Sequence, residues 1–144
     1  MGNKLAMGSI LALDIGERRI GVALANSFSR LPRPLTTLEV SNSIMDQLQN
    51  LLSTYQVTNL VIGLPRNLNG QETDQTRLVR QFAAKLAKLT TIPLSWQDEA
   101  VTSVQAEAEL KSRGKAYHKQ DIDALAATYI LEDYLASNSE KVTS

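Results

Sequence analysis

The sequence predicts an α/β protein: a mixed five-stranded sheet, part antiparallel meander and part parallel strands, flanked by helices. Three observations lead there. The chain opens with two apolar runs joined by a short polar turn, "ILALDIGERRIGVAL"; a β-branched run, "LTTLEV", follows closely; and from Ile44 onward helical and strand patterns alternate. Strands joined by short turns pair antiparallel, whereas strands separated by helices return in parallel. No internal repeat or low-complexity segment interrupts this order.

The first expected strand is Ile10-Leu11-Ala12-Leu13 and the second Ile20-Gly21-Val22-Ala23-Leu24, with Gly16 giving the positive φ of a tight turn and Glu17, Arg18 and Arg19 at its exposed tip. Pro32 and Pro34 bar a central strand, so the third is expected over "LTTLEV". Ile44, Leu48, Leu51, Leu52 and Tyr55 recur at helical spacing. "TNLVIGLP" reads as a buried strand ended by Gly63 and Pro65. Asp74 then serves as N-cap for a helix with the stripe Val79, Phe82, Ala83, Leu86 and Leu89. "TIPLSWQ" supplies the fifth strand. Thr102 and Gln105 have the spacing of a capping box for a helix to about Lys111. The basic stretch "KSRGKAYHKQ" separates it from a last helix, Asp121 to about Ala136.

With 144 residues, 43% hydrophobic and 21% charged, the chain can bury one ordinary core, so a single domain over 1–144 is expected, with residues 1–8 and 137–144 as flexible tails. Lys and Arg number 15, as do Asp and Glu; with no net charge, any nucleic-acid contact must be made by a local basic patch. The absence of cysteine excludes disulfides, thiolate catalysis and Cys-based zinc sites, and His118 is the single histidine. Chemistry is left to carboxylates, hydroxyls, lysines or a bound ion. No secretory h-region and no run near the roughly 18 apolar residues of a membrane span is present, so a cytoplasmic protein without membrane contact is expected. Without heptads or a spare apolar stripe, a monomer or weak homodimer is expected.

Asp14 ends an apolar run, where a carboxylate is costly unless hydrogen bonds, a counter-charge or a metal ion compensates it. The plain alternative is an Asx-type bond to the Gly16 turn. Asp98 and Glu99 follow the fifth strand, and alone they would pass for a solvated loop. Asp121 and Asp123 begin a helix that is apolar on nearly every face; Asp121 suits its cap, and Asp123 shares the face of Ala126, Ala127 and Ile130, small enough to bring the helix near the sheet. Ligands of such sheets gather at the carboxyl ends of the parallel strands, which selects Asp14, the loop after Gly63, and Asp98-Glu99. Carboxylates meeting there would repel, and oxygen-only donors favour Mg²⁺ or Mn²⁺ as the remedy.

The segments "LDIGERRIGVALA", "LVIGLPRNLNG", "QDEAVTS" and "DIDALAATYILEDYL", in this order, resemble the YqgF/RuvX family, described as Holliday junction resolvases and as pre-16S rRNA nucleases with an RNase H-like fold. The resemblance runs from about Ile10 to Leu135. It implies that Asp14, Glu99 and Asp123 are catalytic and bind metal, and that the substrate is a structured RNA precursor or branched DNA. Asp98 and Asp121 stay open as further ligands. Two positions depart from the family pattern: Ala100 stands where arginine is usual, and Asn26 where aspartate is common. Phosphate contacts are expected from Arg18 and Arg19 at the hairpin tip, Arg66 after Gly63, and Lys111, Arg113, Lys115 and Lys119 in the basic stretch, where Tyr117 and His118 could stack on a base. A phosphate-binding lobe of the actin, Hsp70 and sugar kinase kind shares the Asp-x-Gly hairpin but needs two lobes. The other rival is a nucleic-acid-binding or ribosome-assembly protein of the same fold with little nuclease activity.

Overall fold

The computed structural model describes the backbone of residues 8–65, 72–99 and 102–143, with side chains except those of 99, 102–104 and 138–143. Strands β1 (Ser9–Ile15), β2 (Arg19–Asn26) and β3 (Arg33–Glu39) form the meander; then follow α1 (Ile44–Thr54), β4 (Val57–Pro65), α2 (Asp74–Leu89), β5 (Leu94–Glu99), α3 (Thr102–Ser112) and α4 (Lys119–Thr143). The sheet order is β3-β2-β1-β4-β5. β1 pairs antiparallel with β2 and parallel with β4, which pairs parallel with β5. The expected mixed five-stranded sheet is therefore present, and β1, β4 and β5 end on the same edge.

Alternation along each strand assigns the two faces. Leu11, Leu13, Ile15, Ile20, Val22, Leu24, Leu60 and Ile62 form the larger core with Ile44, Leu48 and Leu52 of α1 and Val79, Ala83 and Leu86 of α2. The opposite face carries Ile10, Ala12, Ala23, Ala25 and Val61 against Ala127, Ile130, Leu131 and Leu135 of α4. The alanines on that face leave room for a helix to sit close. Ala126 does not share the sheet-facing stripe as expected; with Leu125 it packs against Ala106 and Leu110 of α3. Among the described residues no helix is long and apolar enough to cross a membrane.

Several boundaries differ from expectation for local reasons. Gly16 does not take a positive φ; its N–H bonds to the Arg19 carbonyl at 2.9 Å and closes the turn without one. β3 begins at Arg33 and contains Pro34, which an edge strand tolerates, and the ladder slips between Val22 and Ala23 opposite it. Thr73, not Asp74, caps α2, its hydroxyl accepting from the Thr76 N–H at 3.1 Å. β4 runs through Gly63, and β5 includes Asp98 and Glu99 instead of releasing them to a loop. α4 starts at Lys119 and continues to Thr143. The side-chain bonds of the expected capping box at Thr102, and residues 1–7 of the tail expected over 1–8, lie outside the described residues.

Candidate acidic active site

Asp14 is the one residue of β1 that keeps partial solvent access. It pairs with Gly21 of β2, so both lie on the face covered by α4. On its other side Leu13 pairs with Ile62, and continuing that register brings Gly63 level with Asp14. One carboxylate is thus flanked in its row by two glycines.

Gly21 decides what comes next. A Cβ there would lie 1.9 Å from the carbonyl oxygen of Asp123 and 2.3 Å from its carbonyl carbon, so the backbone of α4 rests directly on β2. That contact brings the start of α4, with Asp123, up to Asp14. Burial first, and the charge of Asp123 second, push the Asp14 carboxyl from its ordinary 3.8 up to about 6. The Nε of Arg19, two residues before Gly21 and on its face, donates to Asp123 Oδ2 at 2.5 Å. Their side chains are 30% and 19% exposed.

The remaining carboxylates separate cleanly. Gln97 pairs with Gly63 and Glu99 with Pro65; the Glu99 side chain lies outside the described residues. Asp98 pairs with Leu64, which packs on the larger core, and therefore belongs to the opposite face. Asp121 accepts from the His118 N–H at 2.8 Å, closing the first turn of α4 from within instead of capping it from outside. Among the described residues no group of three or more Asp, Glu, His or Cys is placed to hold a metal ion. The described pair is Asp14 and Asp123.

The candidate phosphate contacts divide too. Arg19 is committed to Asp123, whereas Arg18 is exposed beside it. Lys111, Arg113, Lys115 and Lys119 are all exposed around the α3–α4 connection, with Arg113 paired to Glu109. Arg66 lies outside the described residues. Leu110, Tyr117, Ala124 and Leu125 line a cavity of about 240 Å³ with Arg113 and Lys115 also in its wall. Asp121 lines it as well, so this mainly apolar hollow of mixed charge lies beside the first turns of α4.

The family described as RuvX, Holliday junction resolvase, matches residues 8–137. This chain belongs to the RuvX family. A relative from Roseiflexus sp., named "Putative pre-16S rRNA nuclease", is 42% identical over 135 residues, covering 90% of this chain and 95% of its own. One of the same name from Rickettsia canadensis is 36% identical, covering 89% and 86%. RuvX and its relatives thus carry the names of hydrolytic nucleases, which agrees with the activity implied by the motifs. Among solved structures, Thermus thermophilus RuvC in complex with a Holliday junction substrate superposes with a TM-score of 0.56 at 15% identity, covering 92% of this chain and 96% of RuvC. The fowlpox virus Holliday junction resolvase gives 0.52 at 12% identity, covering 90% and 98%. At such identities the likeness concerns the fold, and it is the RNase H-like resolvase fold.

Two features of the site go beyond the sequence reading, in which Gly21 is part of a strand and Arg19 a phosphate contact at the hairpin tip. A glycine inside a strand often marks a close backbone approach, as Gly21 does. Alternation from Gly21 turns Arg19 toward the α4 face.

Proposed function

We propose that this RuvX chain is a metal-dependent endonuclease hydrolysing phosphodiester bonds in structured nucleic acid, with a pre-16S rRNA 5′ end and a branched DNA junction as its candidate substrates. The observation that carries this reading is a carboxylate held partly buried at the carboxyl end of β1, beside a second carboxylate brought in by α4. Two hard oxygen donors, Asp14 with its pKa raised by burial first and by the charge of Asp123 second, in a chain without cysteine, fit Mg²⁺ or Mn²⁺. Asp14, Asp123 and Glu99 would hold the ions. When bound, such ions activate a water and stabilise the leaving oxygen.

The chain's own groups do the rest. Gly21 fixes the height of Asp123 over the sheet, and Gly63 on the other side of Asp14 makes room for the Ile130 side chain of α4. Arg18, Arg66, Lys111, Arg113, Lys115 and Lys119 bind flanking phosphates, and the cavity beside Tyr117 accepts an unstacked base. The protein works as a monomer or weak homodimer in the cytoplasm.

Incubating the purified chain with a 5′-extended 16S rRNA precursor and with a four-way DNA junction, each with Mg²⁺, Mn²⁺ or chelator, tests the proposal. Specific cuts that need metal are expected, and the relative rates on the two substrates assign the preferred one. Binding without turnover under all conditions would point to an assembly protein.

The basic segment is expected to act in binding and not in chemistry. Alanine at Lys111, Arg113, Lys115 and Lys119 together should weaken affinity at least about tenfold and reduce the salt slope, because each phosphate contact releases counterions. Turnover at saturating substrate should persist. An unchanged salt slope, measured by fluorescence anisotropy, would mark the segment as solvated surface.

A further inference from the structure

The Arg19–Asp123 contact has no place in the function proposed above. Arg19 starts β2 on the face covered by α4, and its partner is a carboxylate assigned there to the metal. Both side chains are largely covered, so little solvent screens the pair. An arginine at the turn could have reached outward, as exposed Arg18 does; this one bonds through Nε to a single oxygen, Oδ2, of the residue whose charge bears on Asp14. Across the sheet Arg19 pairs in register with Glu39 of β3.

We propose that Arg19 is the resident counter-cation of the acidic centre: it neutralises Asp123 while no divalent ion is bound, and it yields Oδ2 when one binds. This rests on the metal reading proposed above. Two positive charges close to one carboxylate repel strongly at the reduced dielectric of a covered site. The ion must therefore bind against Arg19 or move it aside. The arginine keeps the empty centre from flying apart and lowers its affinity for the ion, so that filling the site stays reversible. Arg19 is on this account a positioning and tuning residue, acting on the centre through Asp123.

The test separates charge from hydrogen bonding. Arg19→Gln keeps a donor but removes the charge, and Arg19→Lys keeps the charge on a different head. Mn²⁺ titration of substrate-free protein by calorimetry should show binding to Arg19→Gln at least about tenfold tighter than to wild type, with Arg19→Lys close to wild type. Without metal, Arg19→Gln should melt lower than wild type. In wild type itself, the Arg19 Nε–H resonance should be shifted downfield by its carboxylate partner and should move or broaden as Mg²⁺ is added; this readout does not depend on the variants folding. Equal or weaker Mn²⁺ binding by Arg19→Gln, or an Arg19 resonance indifferent to Mg²⁺ in a protein that binds it, overturns the inference alone. No saturable Mn²⁺ binding by wild type or Arg19→Gln overturns both the metal reading and the inference.

Discussion

Asp14→Asn is expected to abolish metal-dependent cleavage and, in the metal-free protein, to raise the melting temperature at neutral pH. The two effects share one cause. With its pKa raised to about 6 in the folded chain against 3.8 as the ordinary value, Asp14 binds a proton more tightly when folded. Stability drawn from the protonated form is complete below about pH 4 and is lost as pH rises through 6. At pH 7 and above, ionised Asp14 therefore costs up to about 3 kcal/mol, which the uncharged amide does not incur. The variant should gain roughly 5 to 10 °C at pH 8, and the gain should fade on acidification toward pH 4. Melting curves across that range in chelator give the result. A turn-capping aspartate would behave differently: asparagine would replace it, cleavage would survive, and the pH-dependent gain would be absent. Asp123→Asn and Glu99→Gln should also lose cleavage and should show a smaller stabilisation by Mn²⁺ than wild type.

Gly21→Ala should be the most damaging small substitution in the chain. The new methyl would fall 1.9 Å from the Asp123 carbonyl oxygen, and the obstacle is helix backbone, which cannot rotate away as a side chain can. α4 must lift off β2, opening the contact of Ala23 and Ala25 with Ala127 and Ile130. A loss of about 2 to 4 kcal/mol is expected from overpacking of this kind, read as a lower denaturant midpoint. Since Asp123 rides on the displaced turn, cleavage should fall by roughly 100-fold even at temperatures where the variant stays folded. Wild-type stability would mean that α4 does not rest on Gly21.

The fold was largely legible because its strands and helices have distinct apolar periods. The alternation of large and small residues in "ILALDIG" and "RIGVALA" also holds information that element assignment alone does not use: leucine and valine point to α1 and α2, alanine and glycine to α4. The boundaries that moved did so for reasons of pairing. β5 extends to Glu99 because β4 continues to Pro65 beside it, and this takes Asp98 into the ladder opposite Leu64. That pairing is not readable from "QDEAV", which alone suits a solvated loop. Asp123 was legible as a helix residue on a close-packing face, but its proximity to Asp14 depends on Gly21, some hundred residues earlier in the chain. The pairing of Arg19 is hidden for the same reason, since charge and a turn position suggest solvent, whereas its partner arrives only with α4.

On the function proposed, Asp14 and Asp123 form a divalent-metal centre. Crystals soaked in Mn²⁺ and measured at a wavelength that excites manganese test it most directly. The account predicts an anomalous peak in coordination contact with a carboxylate oxygen of Asp14 and one of Asp123, with the Glu99 side chain turned toward it and Arg19 withdrawn from Oδ2. A map with no peak there, or with manganese only at other surface carboxylates while Arg19 still holds Asp123, would contradict it.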